Sequence, residues 1–156
     1  MAFSRNTAYQ AGRLRREVAS AHASAAASGD PSARRYKECP HAGHADCQFY
    51  RRHHDTIPEL TTMQPGPRVY TFFLYLSDVE EGGGTEFTDL RMEDGSRLVV
   101  TPRKGKALLW PSVRNDMPDT PDWRTFHAAQ EVTKGVKFAA NSWIHLWDYR
   151  VPNLWG

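Results

Sequence analysis

The segment Tyr50-Arg51-Arg52-His53-His54-Asp55 places two imidazoles and a carboxylate side by side in the chain. On a strand over 48–55, side chains alternate faces, so His53 and Asp55 project to one side and His54 to the other. An imidazole and a carboxylate so placed can share one metal ion, and a third ligand must come from elsewhere. His127, in a later strand segment, is the best candidate. Two histidines and one carboxylate on one face of an octahedron leave positions open, a donor set suited to non-haem Fe(II) and O₂. The His-x-Asp triplet is also common, and the same spacing suits a histidine that faces water or bonds to a neighbour. His54 reads as packing on the second face or as surface.

Two further groups carry chemistry. Lys137 stands between Val136 and Phe138 on a strand segment that follows His127. A lysine buried in that setting needs an anion, such as the distal carboxylate of a small dicarboxylic acid; on an exposed face it needs only water. Cys39-Pro40-His41-Ala42-Gly43-His44-Ala45-Asp46-Cys47 brings together two thiols and two imidazoles. That set would accept zinc, although without paired Cys-x-x-Cys spacing, and a Cys39–Cys47 disulfide is the alternative in an oxidising compartment.

The elements that must position these groups read as β. Val69–Leu76 is almost wholly apolar, β-branched or aromatic, as a strand buried on both faces requires. Further strands are expected over 85–90, 97–101, 107–110, 126–132 and 136–147. They are separated by Glu81-Gly82-Gly83-Gly84, Pro102-Arg103-Lys104-Gly105 and Thr133-Lys134-Gly135, all turn sequences. Short strands divided by Gly and Pro turns predict an all-β sandwich or barrel, and a jelly roll is the preferred form. Residues 1–30 differ: they are rich in Ala, Ser and Arg, end at Ser28-Gly29-Asp30-Pro31, and suit a helix, a transit-like leader or a disordered segment. The expected organisation is therefore 1–30 as an N-terminal segment and 34–156 as one domain. With 156 residues and a net charge of +2 spread along the chain, nothing argues for nucleic acid as a partner. No run approaches the roughly 20 apolar residues of a membrane helix.

From Arg35 to the C-terminus the chain resembles the prolyl 4-hydroxylase branch of the 2-oxoglutarate/Fe(II) oxygenases. The matching pieces occur in the family's order: Tyr50 to Asp55, Arg68 to Leu76, Gly82-Gly83-Gly84-Thr85-Glu86-Phe87, Pro102 to Trp110, His127, and Gly135-Val136-Lys137 leading to Trp143-Ile144-His145. The resemblance implies a double-stranded β-helix and a dioxygenase using Fe(II), 2-oxoglutarate and O₂, with ascorbate as reductant. It implies iron ligation by His53, Asp55 and His127, and Lys137 on the C5 carboxylate of 2-oxoglutarate. Tyr75, Thr85 and Tyr36 would line the co-substrate pocket, and Tyr50, Arg68, Trp143 and His145 would contact a peptidyl proline. The implied partner is a protein or peptide substrate, and the implied compartment is the endoplasmic reticulum or secretory pathway, although no signal peptide is legible. A free amino acid or small metabolite is the alternative substrate, and a β-sandwich binding domain with impaired catalysis is the alternative outside enzymes.

The chain departs from the family's pattern in three places. The family joins its Arg-Tyr to the first-histidine strand by a short Pro-Gly turn, whereas Lys37–Cys47 is longer and bears the Cys/His cluster. Glu131-Val132 stands where the family has Pro-Val. Helices and a supporting strand precede Arg-Tyr in the family, and the Ala-rich start does not match them, which implies a piece shortened or wrongly bounded at its N-terminus.

Overall fold

The computed structural model describes residues 33–41, 43–57 and 65–147. Its elements in chain order are β1 (Ala33–Tyr36), β2 (Tyr50–His53), β3 (Arg68–Tyr75), β4 (Glu81–Gly82), β5 (Thr85–Arg91), β6 (Arg97–Val100), β7 (Ala107–Pro111), a single 3-10 turn (Trp123–Thr125), β8 (His127–Ala129), β9 (Val132–Lys134) and β10 (Lys137–His145). The expected helix or disordered segment over 1–30 lies outside the described residues.

Two four-stranded sheets, β1-β10-β3-β7 and β2-β8-β5-β6, build a jelly roll, and β4-β9 forms a small two-stranded ribbon. Every strand pairing is antiparallel. β3 is central because its β-branched and aromatic residues fill both faces. Thr71, Phe73 and Tyr75 turn inward at alternate positions, and Leu74 is buried on the other side. The core gathers Phe73, Tyr75, Phe87, Trp110 and Ala139, with Leu90, Leu98, Val100 and Leu108 packed around it. At the tight turn from β4 to β5, Gly82 and Gly83 have φ of 75° and 66°, a region that costs glycine little.

Two expected elements differ. The strand foreseen over 126–132 is split into β8 and β9, and Thr133 and Lys134 belong to β9 rather than to a turn. The cause is a change of partner: β8 pairs with β2 and β5, whereas β9 pairs with β4. The strand foreseen over 48–55 ends at His53, so Asp55 lies beyond it. There the chain leaves its sheet and is tied to the other one, because Thr56 Oγ1 reaches the carbonyls of Arg68 and Ser112 at 3.2 and 3.1 Å.

Candidate metal centre

β2 and β8 meet in a register that sets His53 directly opposite His127, with ring centroids 4.2 Å apart. Asp55 enters from the bend after β2 and spans the two rings. Its Oδ1 is 3.6 Å from His53 Nε2 and its Oδ2 is 3.6 Å from His127 Nε2. One ligand atom from each residue lies within 4.8 Å of the others. Each ring turns its Nδ1 to a backbone carbonyl, His53 to Arg51 and His127 to Thr125, both at 2.9 Å. A carbonyl only accepts, so Nδ1 carries the proton in the neutral ring and Nε2 offers its lone pair to the shared space. Three electron-pair donors thus face one another, which fits a metal cation.

The electrostatics agree with that fit. Burial alone would raise the Asp55 carboxyl. The His53 and His127 rings beside it and the Thr71 hydroxyl outweigh that burial and hold the group at about 2. Thr71 Oγ1 donates to Asp55 Oδ2 at 2.5 Å, which fixes the carboxylate from the opposite sheet. Burial pushes His127 down, favouring the neutral ring that a metal needs. His54 turns away as expected, with Nε2 3.1 Å from the Asp122 carbonyl and its ring packed on Phe126.

Lys137 opens β10 and is fully buried. Its Nζ donates to the Gly83 carbonyl at 2.6 Å and lies 5.1 to 5.4 Å from the ring centroids of Tyr36, Phe73 and Tyr75. Tyr36 stands opposite Lys137 in the β1–β10 register. Among the described residues no carboxylate pairs with the ammonium, and burial draws it down from 10.5 to about 8. The Tyr75 hydroxyl lies between Thr85 Oγ1, at 2.7 Å, and the Val100 carbonyl, at 3.0 Å.

Between the sheets a cavity of about 250 Å³ is lined by the triad and by Tyr36, Tyr50, Arg68, Thr85 and Trp143. Arg68 stacks its guanidinium over Trp143, 3.8 Å from the ring centroid. Lys137 and Tyr75 do not line this space; they lie immediately behind its Tyr36 and Phe73 walls. His145 is not brought to it either. It is buried at the far end of β10, where its Nδ1 meets the Gly66 carbonyl at 2.9 Å. The Cys/His loop also departs from the zinc reading, because Cys39 and Cys47 form a disulfide with Cα atoms 4.6 Å apart.

Sequence reasoning missed Thr71 and Asn141. Thr71 was visible as the one aliphatic hydroxyl within the aromatic and aliphatic run of β3. Asn141 shares the face of β10 that carries Lys137 and Trp143, a spacing that strand periodicity exposes. Its Oδ1 is buried at the cavity wall without a hydrogen-bond partner.

Residues 35–145 match the family described as the 2OG-Fe(II) oxygenase superfamily. The probable prolyl 4-hydroxylase 3 of Arabidopsis thaliana is 36% identical over 118 residues, covering 67% of this chain and 40% of that protein. The prolyl 4-hydroxylase subunit alpha-2 of Caenorhabditis elegans is 37% identical over 103 residues, covering 66% of this chain and 18% of that protein. The chain thus spans well under half the length of these relatives. Among solved structures, the viral collagen prolyl hydroxylase of Paramecium Bursaria Chlorella virus-1, in its 2OG complex, superposes with a TM-score of 0.56 at 26% identity. That match covers 74% of this chain and 57% of the viral one.

Proposed function

The chain belongs to the 2OG-Fe(II) oxygenase superfamily, and from that premise we propose that it is a 2-oxoglutarate-dependent dioxygenase that hydroxylates prolyl residues in a protein or peptide. The observation that carries this reading is the convergence of His53, Asp55 and His127 on one point at the wall of a cavity backed by a buried ammonium. Those three residues would hold Fe(II). When bound, the iron supplies O₂ activation, coupling decarboxylation of 2-oxoglutarate to succinate and CO₂ with hydroxylation of a C–H bond, while ascorbate keeps it reduced.

The chain's own residues bind, orient and shield. Lys137 Nζ exchanges its bond to the Gly83 carbonyl for the C5 carboxylate of the co-substrate, a charge-assisted contact that offsets the cost of burying the ammonium. Thr85 and Tyr36 line the cavity in front of it, and Tyr75 braces Thr85 through its hydroxyl. Tyr50 is half exposed at the cavity rim, where it and the Arg68–Trp143 stack offer flat surfaces to a prolyl ring. Peptidyl-proline as the substrate draws support from relatives named as prolyl 4-hydroxylases. The Cys39–Cys47 disulfide suits an oxidising compartment such as the secretory pathway.

The test is a hydroxylation assay on a proline-bearing peptide array, read by mass, beside 2-oxoglutarate decarboxylation without peptide. A gain of one oxygen on proline, dependent on Fe(II) and 2-oxoglutarate, is the expected outcome. Decarboxylation stimulated only by free amino acids or small metabolites would move the substrate class. Absence of both iron binding and decarboxylation would leave a binding domain.

A further inference from the structure

The loop between β1 and β2 lies outside the triad, and the proposed reaction uses none of its cysteines. It is fastened to the start of β9, where Cys39 N–H donates to the Val132 carbonyl at 2.7 Å. Both sulfurs are largely buried, and both lie over the His41 carbonyl, at 3.0 and 3.3 Å. Beside that attachment Glu131, distant in sequence, directs its carboxylate at them: Oε2 is 3.7 Å from Cys39 Sγ. Among the described residues that carboxylate has no ion pair and no N–H donor. Cys39, Cys47 and Glu131 each place one ligand atom within 4.8 Å of the other two.

A disulfide gives a carboxylate nothing to bind, whereas two thiolates beside a carboxylate form a donor set for a thiophilic dication. Zinc bonds of about 2.3 Å to sulfur and about 2.1 Å to oxygen, at the tetrahedral angle, set those atoms about 3.6 Å apart. The Cys39–Glu131 separation already has that size. We propose that after reduction of the disulfide, Cys39, Cys47 and Glu131 bind a zinc-class divalent cation. The fourth position goes to water or to an imidazole of the same loop, where His41 and His44 have ring centroids 4.9 Å apart. The reductant is a dithiol: it delivers two electrons and two protons to the S–S bond and closes to its own disulfide. The two cysteine thiols then lose their protons to solvent as the metal binds. The loop thus has two alternative clips, one covalent and one metallic. Either one holds the segment joining Tyr36 to Tyr50.

Cobalt(II) tests this without interference from the triad, because a sulfur-to-cobalt absorption in the near ultraviolet requires a thiolate and the triad has none. Metal-free protein is reduced with dithiothreitol, freed of reagent under nitrogen, and titrated beside the oxidised form. The reduced protein should take up one further equivalent of Co(II) with that absorption, and zinc should displace it. The oxidised protein should show no such band. Cys39→Ser should lose the band and His127→Ala should keep it. Glu131→Gln, which leaves both cysteines in place, should weaken the site by about tenfold or more. A reduced wild-type protein without the band would overturn the proposal, as would an undiminished affinity in Glu131→Gln.

Discussion

At the triad three electron-pair donors converge on one point, whereas at the start of β10 one ammonium is enclosed by three aromatic rings and a carbonyl. The first region is a donor set for a cation, and the second, where among the described residues no carboxylate pairs with the ammonium, is a seat for an anion. A metal ion together with a small dicarboxylate would supply both, which is why the two regions are read as one binding site. They are also built differently. The triad is held by polar contacts that cross between sheets, Thr71 to Asp55 above all. Lys137 is held by strand register and apolar packing, with one hydrogen bond at its tip among the described residues. The triad therefore depends on orientation, and the lysine on how far water is excluded from it.

Breaking the first region should have the largest effect. His127→Ala or His53→Ala should abolish 2-oxoglutarate turnover and iron binding together, read by decarboxylation and by metal analysis. Iron-dependent turnover that survives in His127→Ala would disprove the triad.

Breaking the second region should spare iron binding. Lys137→Met should raise the 2-oxoglutarate concentration needed for half-maximal turnover by about tenfold to a hundredfold, as expected for losing a charge-assisted contact worth roughly 1.5 to 3 kcal/mol. The same variant should be the more stable without ligand. Lys137 titrates near 8 when folded and near 10.5 when unfolded. Between those values the unfolded chain holds the extra proton, so stability rises with pH across that window, by roughly 3 kcal/mol at most. Below about pH 8 the folded chain carries the full cost of the buried charge. Co-substrate affinity should run the other way, falling as pH rises through about 8, and Lys137→Met should flatten both profiles. Urea midpoints and 2-oxoglutarate titrations between pH 7 and 10.5 measure the two trends.

Smaller effects should sharpen the distinction. Thr71→Val should weaken iron binding by about tenfold, with Thr71→Ser retaining most of it, because only the hydroxyl orients Asp55. Comparable iron affinity in Thr71→Val would show that packing alone sets the carboxylate. Tyr75→Phe should cost about 1 kcal/mol of stability through the lost hydroxyl contacts, with little change in iron affinity. A loss of iron affinity in that variant would mean the two regions are coupled through Thr85.

Much of this is legible in the amino-acid sequence, and the reasons are local. Period-two alternation separated His53 from His54, and apolar runs with glycine turns located β3, β5, β6, β7 and β10 to within one or two residues. The split between β8 and β9 was not legible, since Gln130 and Glu131 carry no breaker signal and the division follows from which strands each half meets. Thr71 escaped notice because a threonine suits any strand, and its importance comes from a residue sixteen positions away.

The sequence by itself determined the chemistry on offer: two imidazoles, a carboxylate and a lysine, in an order and alternation that a jelly roll can use. Tertiary structure decided which of these groups meet. It set His53 opposite His127 by register, brought Asp55 in from beyond its strand, and paired Cys39 with Cys47. It buried Lys137 behind the cavity wall and turned His145 toward the Gly66 carbonyl. Alternation states which side of a strand a residue occupies. Which side is closed, and by what, depends on sheet pairing between residues far apart in the chain.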